Sequence, residues 1–476
     1  MRFDIHSLAL RLGSLATATA VSFSSLAIAQ NAAAPGGAPT PPQAGEDKGA
    51  SDTTTSEGGQ GDAKALLEKA DAAYKAGDFA AAIGAYSELI NGLNNSGAAA
   101  SPEGLNVLFT ALTGRGNALV GAKDYAAAIA DFKQVIDANP SFAPALVGRA
   151  KAYLETAQAD QALRDLQEAV KSDPKNAEAQ LGLGKALVAL DHSTEAVGPL
   201  TKAIEANPQD AEAFRLRGTA YAGSFKNKQA IEDLQKSIEL NPDDQETYFT
   251  LGVVYMRSED YENAVAQIEK AIEHYKPKEG HEDEPFIQGF LTAASAYVEI
   301  GKATKDDGIR KKAFESSLEL CKKALATLDE KNPTHAQYLA PIYYSRGVAE
   351  RMLDEYGAAV RSFSRAIELN PELGEAYFRR GICFHLLNED KMAITDFQQA
   401  AHIMFDDPRC NLWEGFTYSK LGDYNQAVRA YGDAIAASDR YTPAYANRAR
   451  AYMMLGEFDK AVNDFNQAIR LAPTNA

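Results

Sequence analysis

Cysteine is scarce in this chain: Cys321, Cys383 and Cys410 are the only thiols in 476 residues, which excludes a disulfide-stapled fold. Basic charge is in deficit, with 48 Lys and Arg against 65 Asp and Glu and a net charge of -17. That balance argues against general nucleic-acid binding, because phosphate contacts need clustered Lys and Arg, and it favours solubility and basic or neutral partners. From Gln30 to Gly61 there is no aromatic residue and no Val, Ile, Leu or Met. Such a segment cannot bury enough surface to fold, and it reads as a disordered Ala/Gly/Pro/Thr-rich linker over 30–61.

Residues 1–29 have a different character. Arg2 and Arg11 precede an apolar stretch from Leu12 to Ile28, and Ala27-Ile28-Ala29 supplies small residues before Gln30. This is the pattern of a secretory signal peptide cleaved after Ala29, and it predicts export to the periplasm or beyond. Thr17, Thr19, Ser22, Ser24 and Ser25 dilute the stretch, so no stable membrane insertion is expected after cleavage. No cysteine follows the cleavage site to carry a lipid anchor.

What the chain has in abundance is a register. Ala128, Ala162, Ala196, Ala230 and Ala264 recur every 34 residues, and so do Ala359, Ala393, Ala427 and Ala461. Counting each 34-residue unit from Phe109, these alanines occupy place 20. Place 8 is also small: Gly116, Ala150, Gly184, Gly218 and Gly252, then Gly347, Gly381, Gly415 and Ala449. Place 24 is large, as in Phe132, Leu166, Leu234, Phe363, Phe397 and Tyr431, and place 11 is mostly so. Apolar places 4, 7, 8 and 11 share one helical face and places 20, 21, 24, 27 and 28 another, which predicts two amphipathic helices per unit. Turns such as Gly422-Asp423-Tyr424 and Gly456-Glu457-Phe458 part the two helices. Pro140, Pro174, Pro208, Pro242 and Pro371 end the second helix by removing a backbone donor.

The unit resembles the tetratricopeptide repeat, with small residues at places 8 and 20, large ones at 11 and 24 and proline at 32. The resemblance implies an all-α fold, a right-handed α-solenoid of about eleven helical hairpins, one of them irregular. The predicted organisation is a signal peptide at 1–29, the linker at 30–61, an N-terminal array at 63–278, an irregular lengthened repeat at 279–339 and a C-terminal array at 340–476. Phe405 and Asp439 stand where the terminal proline is missing, and Glu350 occupies an otherwise apolar place.

Within this register the candidate chemistry dissolves. Gly182-Leu183-Gly184-Lys185-Ala186 looks like part of a phosphate loop, but Ala179 stands where a glycine is needed and Ala186 where Ser or Thr is needed. His274 and His281 flank an acidic turn without a fixed helical spacing, so a solvated loop is expected there and not a metal site. Cys383 and Cys410, at places 10 and 3 of neighbouring first helices, are about 10 Å apart along the axis, too far to bond. Three free, mostly buried thiols are expected. Outside the repeats nothing is large enough for a catalytic domain, so no catalytic, cofactor or metal residues are assigned.

A non-enzymatic scaffold or adaptor in the bacterial cell envelope is the function that remains. In the family the stripe at places 5, 9 and 12 lines a concave groove that takes partner segments. Before residue 245 that stripe is mixed, with Thr113, Asn117, Lys151, Lys185 and Arg215. After 245 it turns apolar and aromatic, and Phe249, Val253, Tyr344, Phe378, Ile382, Trp413 and Phe416 are the predicted partner-binding residues for a peptide or helix. Burial of these residues against neighbouring units is the competing reading. The clamp by which some members hold acidic peptide tails is missing, since Thr113 stands where Lys is needed before Asn117. Arg115, Arg217, Arg346 and Arg380 precede the small residue, and pairing with acids of adjacent helices accounts for them as well as ligand binding does. Alternative roles are a recognition or regulatory subunit of an envelope enzyme and a self-assembling structural protein, with self-association through the last repeat, where Val462, Phe465 and Ile469 lack a cover.

Overall fold

The structure is a computed structural model and describes residues 58–277, 285–329, 332 and 335–472. The signal-peptide reading lies outside these residues, and so does the linker up to residue 57. Among the described residues the chain is helical hairpins and turns, without strands. The described residues fall into two compact units, divided between Thr250 and Leu251.

In the first unit, hairpin 1 pairs Gly58–Lys75 with Phe79–Asn95, and hairpin 2 pairs Pro102–Gly121 with Tyr125–Ala138. Hairpin 3 pairs Ala143–Glu155 with Ala159–Ser172, hairpin 4 Ala177–Ala189 with Ser193–Ala206, and hairpin 5 Ala211–Gly223 with Asn227–Leu240. Hairpin 6 pairs Gln245–Arg257, the helix that runs through residue 250, with Tyr261–Glu273. In the second unit, hairpin 7 pairs Ile287–Ala303 with Asp307–Ala326, and hairpin 8 pairs Ala336–Met352 with Tyr356–Leu369. Hairpins 9, 10 and 11 pair Gly374–Leu386 with Asp390–Ile403, Pro408–Lys420 with Tyr424–Ala437, and Thr442–Met454 with Phe458–Leu471.

Two helices pack closely only where something small meets something large, and the register supplies both. A Cβ added at Gly116 would stand 2.7 Å from the Phe132 ring, one at Gly184 2.3 Å from Leu200, one at Gly381 2.8 Å from Phe397 and one at Gly415 2.5 Å from Tyr431. Place 8 therefore receives the place-24 side chain of the same hairpin. Phe132, Leu200, Leu234, Phe363 and Phe397 are wholly buried there, each adding about 2 kcal/mol by removal of apolar surface from water. The place-20 alanines are buried in every hairpin that has one. Hairpin 7 keeps the rule outside the 34-residue spacing, because a Cβ on Gly301 would meet Phe314 at 2.4 Å.

The turn inside a regular hairpin is a left-handed helix cap followed at once by a new N-cap. Gly422 has φ +79°, its N–H donates to Ser419 O and the N–H of Asp423 donates to Tyr418 O, the double bond pattern that closes a helix C-terminus. Asp423 then accepts from the N–H of Gln426 and starts the second helix. Most hairpins reach the same φ without glycine, through Lys123, Ala157, Asp191, Phe225, Asp354 and Asn388. Hairpin 7 lacks this turn and instead uses an extended Asp306, which caps the N–H of Ile309.

Candidate functional site

The arginine at place 7 is held by the fold. Arg115 binds Asp131 through Nε and Nη2, both at 2.7 Å. Arg149 with Asp165, Arg217 with Asp233, Arg380 with Asp396 and Arg448 with Asp464 repeat this two-pronged pair, 16 residues apart each time. The partner aspartate sits at place 23 of the second helix of the same hairpin. Arg217 and Arg380 also reach back to Thr201 and Ser364 of the preceding hairpin. The carboxylate hydrogen bond outweighs burial and raises each of the Arg115, Arg149, Arg217 and Arg448 guanidinium pKa values.

In hairpins 4, 6 and 10 both members of the pair are absent. Hairpin 4 has Leu183 with Pro199, hairpin 6 Leu251 with Gln267, and hairpin 10 Glu414 with Ala430. A lone buried aspartate would be an uncompensated charge, so the two places change together. Hairpin 8 has Ser362 at place 23, and there the out-of-pattern Glu350 takes the role: its carboxylate accepts from Arg346 Nε at 2.8 Å and from Ser362 Oγ at 2.6 Å.

Gly182-Leu183-Gly184-Lys185 is not a loop. It lies within helix Ala177–Ala189, with Gly182 against Leu166 and Gly184 against Leu200. Lys185 pairs with Glu212 at 3.1 Å. The three cysteines are free and buried; burial pushes the Cys321 thiol up to about 12 and the Cys383 thiol to about 11, which keeps both protonated at neutral pH. His281 lies outside the described residues.

The seven stripe residues fall into two groups. Phe378 and Ile382 are core residues, 4% and 8% exposed. Phe378 packs on Phe397 and lies under the Arg409 guanidinium, 4.9 Å from the ring centre. Phe249 and Val253 are half-buried, as are Tyr344, Trp413 and Phe416. Trp413 touches Phe397, Phe416 and His385, and Phe416 meets Tyr431 edge to face.

Around these aromatics the second unit holds a polar network that the stripe reading did not contain. Arg379 Nε donates to Tyr344 Oη at 2.8 Å, and its Nη2 meets Glu375 at 2.7 Å. Glu375 also accepts from Arg409 Nη2 at 3.0 Å, while Arg409 Nε donates to Asp407 at 2.8 Å. First helices of hairpins 8, 9 and 10 are thus tied side by side through places 2, 5 and 6. The first unit has a more exposed counterpart, in which Arg215 bridges Asp244 at 3.3 Å and Glu246 at 3.0 Å. Alignment of the units would have shown acids at place 2 facing basic residues at 5 and 6. His385 sits beside Trp413, its Nδ1 within 3.0 Å of Thr417 Oγ1; burial and then Lys420 lower its pKa and favour the neutral ring.

Models of the tetratricopeptide repeat match residues 54–100, 119–164, 147–211, 183–244, 245–274, 344–406, 408–440 and 442–475. Together these segments take in most of the chain. Among curated proteins it is 40% identical over 53 residues to the TPR repeat-containing thioredoxin TTL4 of Arabidopsis thaliana, which is 11% of this chain and 8% of that protein. Less than a tenth of that relative's length is therefore shared. Among solved structures, MamA is similar at 28% identity over 33% of this chain and 93% of its own, with a TM-score of 0.31. A tetratricopeptide repeat protein from Parabacteroides merdae ATCC 43184 is similar at 16% identity over 62% of this chain and 98% of its own, with a TM-score of 0.39.

Proposed function

Because this chain belongs to the tetratricopeptide repeat family, whose repeats serve as protein-protein interaction scaffolds, we propose that it is a non-enzymatic adaptor holding a protein partner in the bacterial cell envelope. Export rests on Arg2, Arg11, the apolar stretch 12–28 and the small residues at 27–29. Sequencing the N-terminus of the mature protein tests it: a start at Gln30 in the envelope fraction supports export, and an intact Met1 in the cytosol overturns it.

One observation carries the partner site, namely that Trp413 and Phe416 stay partly exposed beside one another while the framework around them is packed. Aromatic side chains of this kind dominate binding energies where they sit in partly desolvated surroundings. With Tyr344 they form the contact set we assign in the second unit. Phe378 and Ile382 support it from below. Arg351, half-buried on the same row and bonded among the described residues to the Met352 sulfur, supplies a cation to the partner segment.

Crosslinking in intact envelopes with the Trp413→Ala, Phe416→Ala double variant is the test. Loss of captured partner with a melting temperature within a few degrees of the parent supports the site. Undiminished capture sinks it. Self-association through hairpin 11 is a second reading, favoured by the exposed Val462 and Ile469; a strictly monomeric sedimentation profile at all concentrations would rule it out.

A further inference from the structure

At the edge of the second unit where the two helices of each hairpin join, place 14 is leucine in four successive hairpins: Leu353, Leu387, Leu421 and Leu455. In the first unit the same place holds Ala122, Thr156, Leu190 and Ser224, and place 13 holds Gly121, Glu155, Ala189 and Gly223. The second unit adds Leu386 and Met454 at place 13 and Met453 at place 12. Leu386 is 43% exposed, Leu421 51%, Met454 62% and the neighbouring Phe458 65%. Isolated exposed apolar residues are ordinary, but a row of them in register is not.

Leu353 and Leu455 of the row are partly buried, and the joining ends of hairpins 9 and 10 touch. Lys420 Nζ of hairpin 10 donates to His385 O at 3.0 Å and to Asp390 at 2.9 Å, both of hairpin 9. The charged residues along this edge are mostly acidic. Asp354, Glu355, Glu389, Asp423 and Asp459 are exposed, whereas Lys420 is held by Asp390 and Lys460 by Glu457. Lys391 is an exposed cation on the same edge.

We propose that this edge is a second docking surface, separate from the inner aromatic residues, and that it takes a cationic amphipathic helix of a protein partner. Leu and Met provide a compliant apolar strip into which a helix can lay residues at i, i+3, i+4 and i+7. The acidic rim matches Lys or Arg flanking that stripe and repels anionic lipid headgroups. The inner stripe and the edge are therefore independent sites on one unit.

Fluorescence anisotropy with the full chain tests this, using a labelled synthetic helix of about 18 residues with Leu on one face and Lys elsewhere. The Leu387→Ser, Leu421→Ser, Met454→Ser variant keeps every charge and changes only exposed or partly exposed positions. It weakens binding of this helix about tenfold or more, with an unshifted melting curve. A helix with Glu in place of Lys binds the parent at least about tenfold more weakly. Trp413→Ala, Phe416→Ala leaves the affinity unchanged, which separates this edge from the inner site.

Equal binding by the triple variant, equal binding of the Glu helix, or loss of binding in the Trp413, Phe416 variant overturns the proposal. Flotation of the parent, but not the triple variant, with phosphatidylglycerol vesicles would assign the edge to lipid instead. Concentration-dependent sedimentation abolished by the triple variant would assign it to a second copy.

Discussion

In hairpins 2, 3 and 4 of the first unit place 6 is Gly114, Gly148 and Gly182, and each lets its helix rest on a large residue of the preceding hairpin, Tyr86, Phe132 and Leu166; hairpin 5 has Leu216 there. In the second unit the same place is Ser345, Arg379 and Trp413, and the ring of Trp413 now fills the space against Phe397. Places 8, 20 and 24 and the Arg–Asp pair do not follow this change. Contacts within a hairpin are shared by both units, while the residues that meet the next hairpin or the open inner face are where the units part. The hairpin is the conserved physical object, and the face it presents is the variable.

Breaking the internal pair should have the largest effect, and the same one in both units. Asp233→Gln in the first and Asp396→Gln in the second each cost about 3 kcal/mol by urea denaturation, since each strands a mostly buried guanidinium. Arg217→Leu combined with Asp233→Gln, which copies the Leu251 and Gln267 of hairpin 6, recovers to within about 1 kcal/mol of the parent. A double variant no better than the single one would show that the two places are not coupled.

Glycine at place 8 comes next. Gly218→Ala and Gly381→Ala should each cost about 1 to 2 kcal/mol, because the new Cβ stands 2.7 Å from Leu234 and 2.8 Å from Phe397. Unequal losses would mean that the units do not share one framework. Partner capture should divide them instead: Trp413→Ala lowers it about tenfold, and Lys151→Ala on the inner stripe of the first unit leaves it unchanged in the same pull-down.

Proton linkage gives the smallest difference. The folded pKa of His385 lies below its ordinary value, so the unfolded chain takes up the proton first as pH falls below about 6.5. The second unit then loses stability on acidification through that window, down to the folded pKa. His385→Gln should flatten this part of the melting temperature against pH. An unchanged slope would remove His385 as its cause.

Much of this was legible in the sequence. The small-to-large contact of places 8 and 24 and the turns at Gly422 and Gly456 follow from residue size and spacing. Pairing of Arg115, Arg217 and Arg380 with acids of an adjacent helix was legible as well, and the constant separation of 16 residues was the signal that names Asp131, Asp233 and Asp396. Phe378 and Ile382 show the limit from the other side. Whether places 5 and 9 face solvent or a neighbour depends on how closely successive first helices approach, and that is set by Arg409 folding over Phe378 with Glu375 and Asp407. Asp407 and Arg409 belong to hairpin 10, so hairpin 9 by itself does not encode it.

The coupled arginine and aspartate also make each hairpin a cassette. Removing a paired hairpin as 34 consecutive residues in register takes both charges of its internal pair out together, and duplicating it brings both in, so such a change of length orphans neither member of that pair. Scaffolds of different reach follow from such deletions, each keeping the remaining internal Arg–Asp pairs whole.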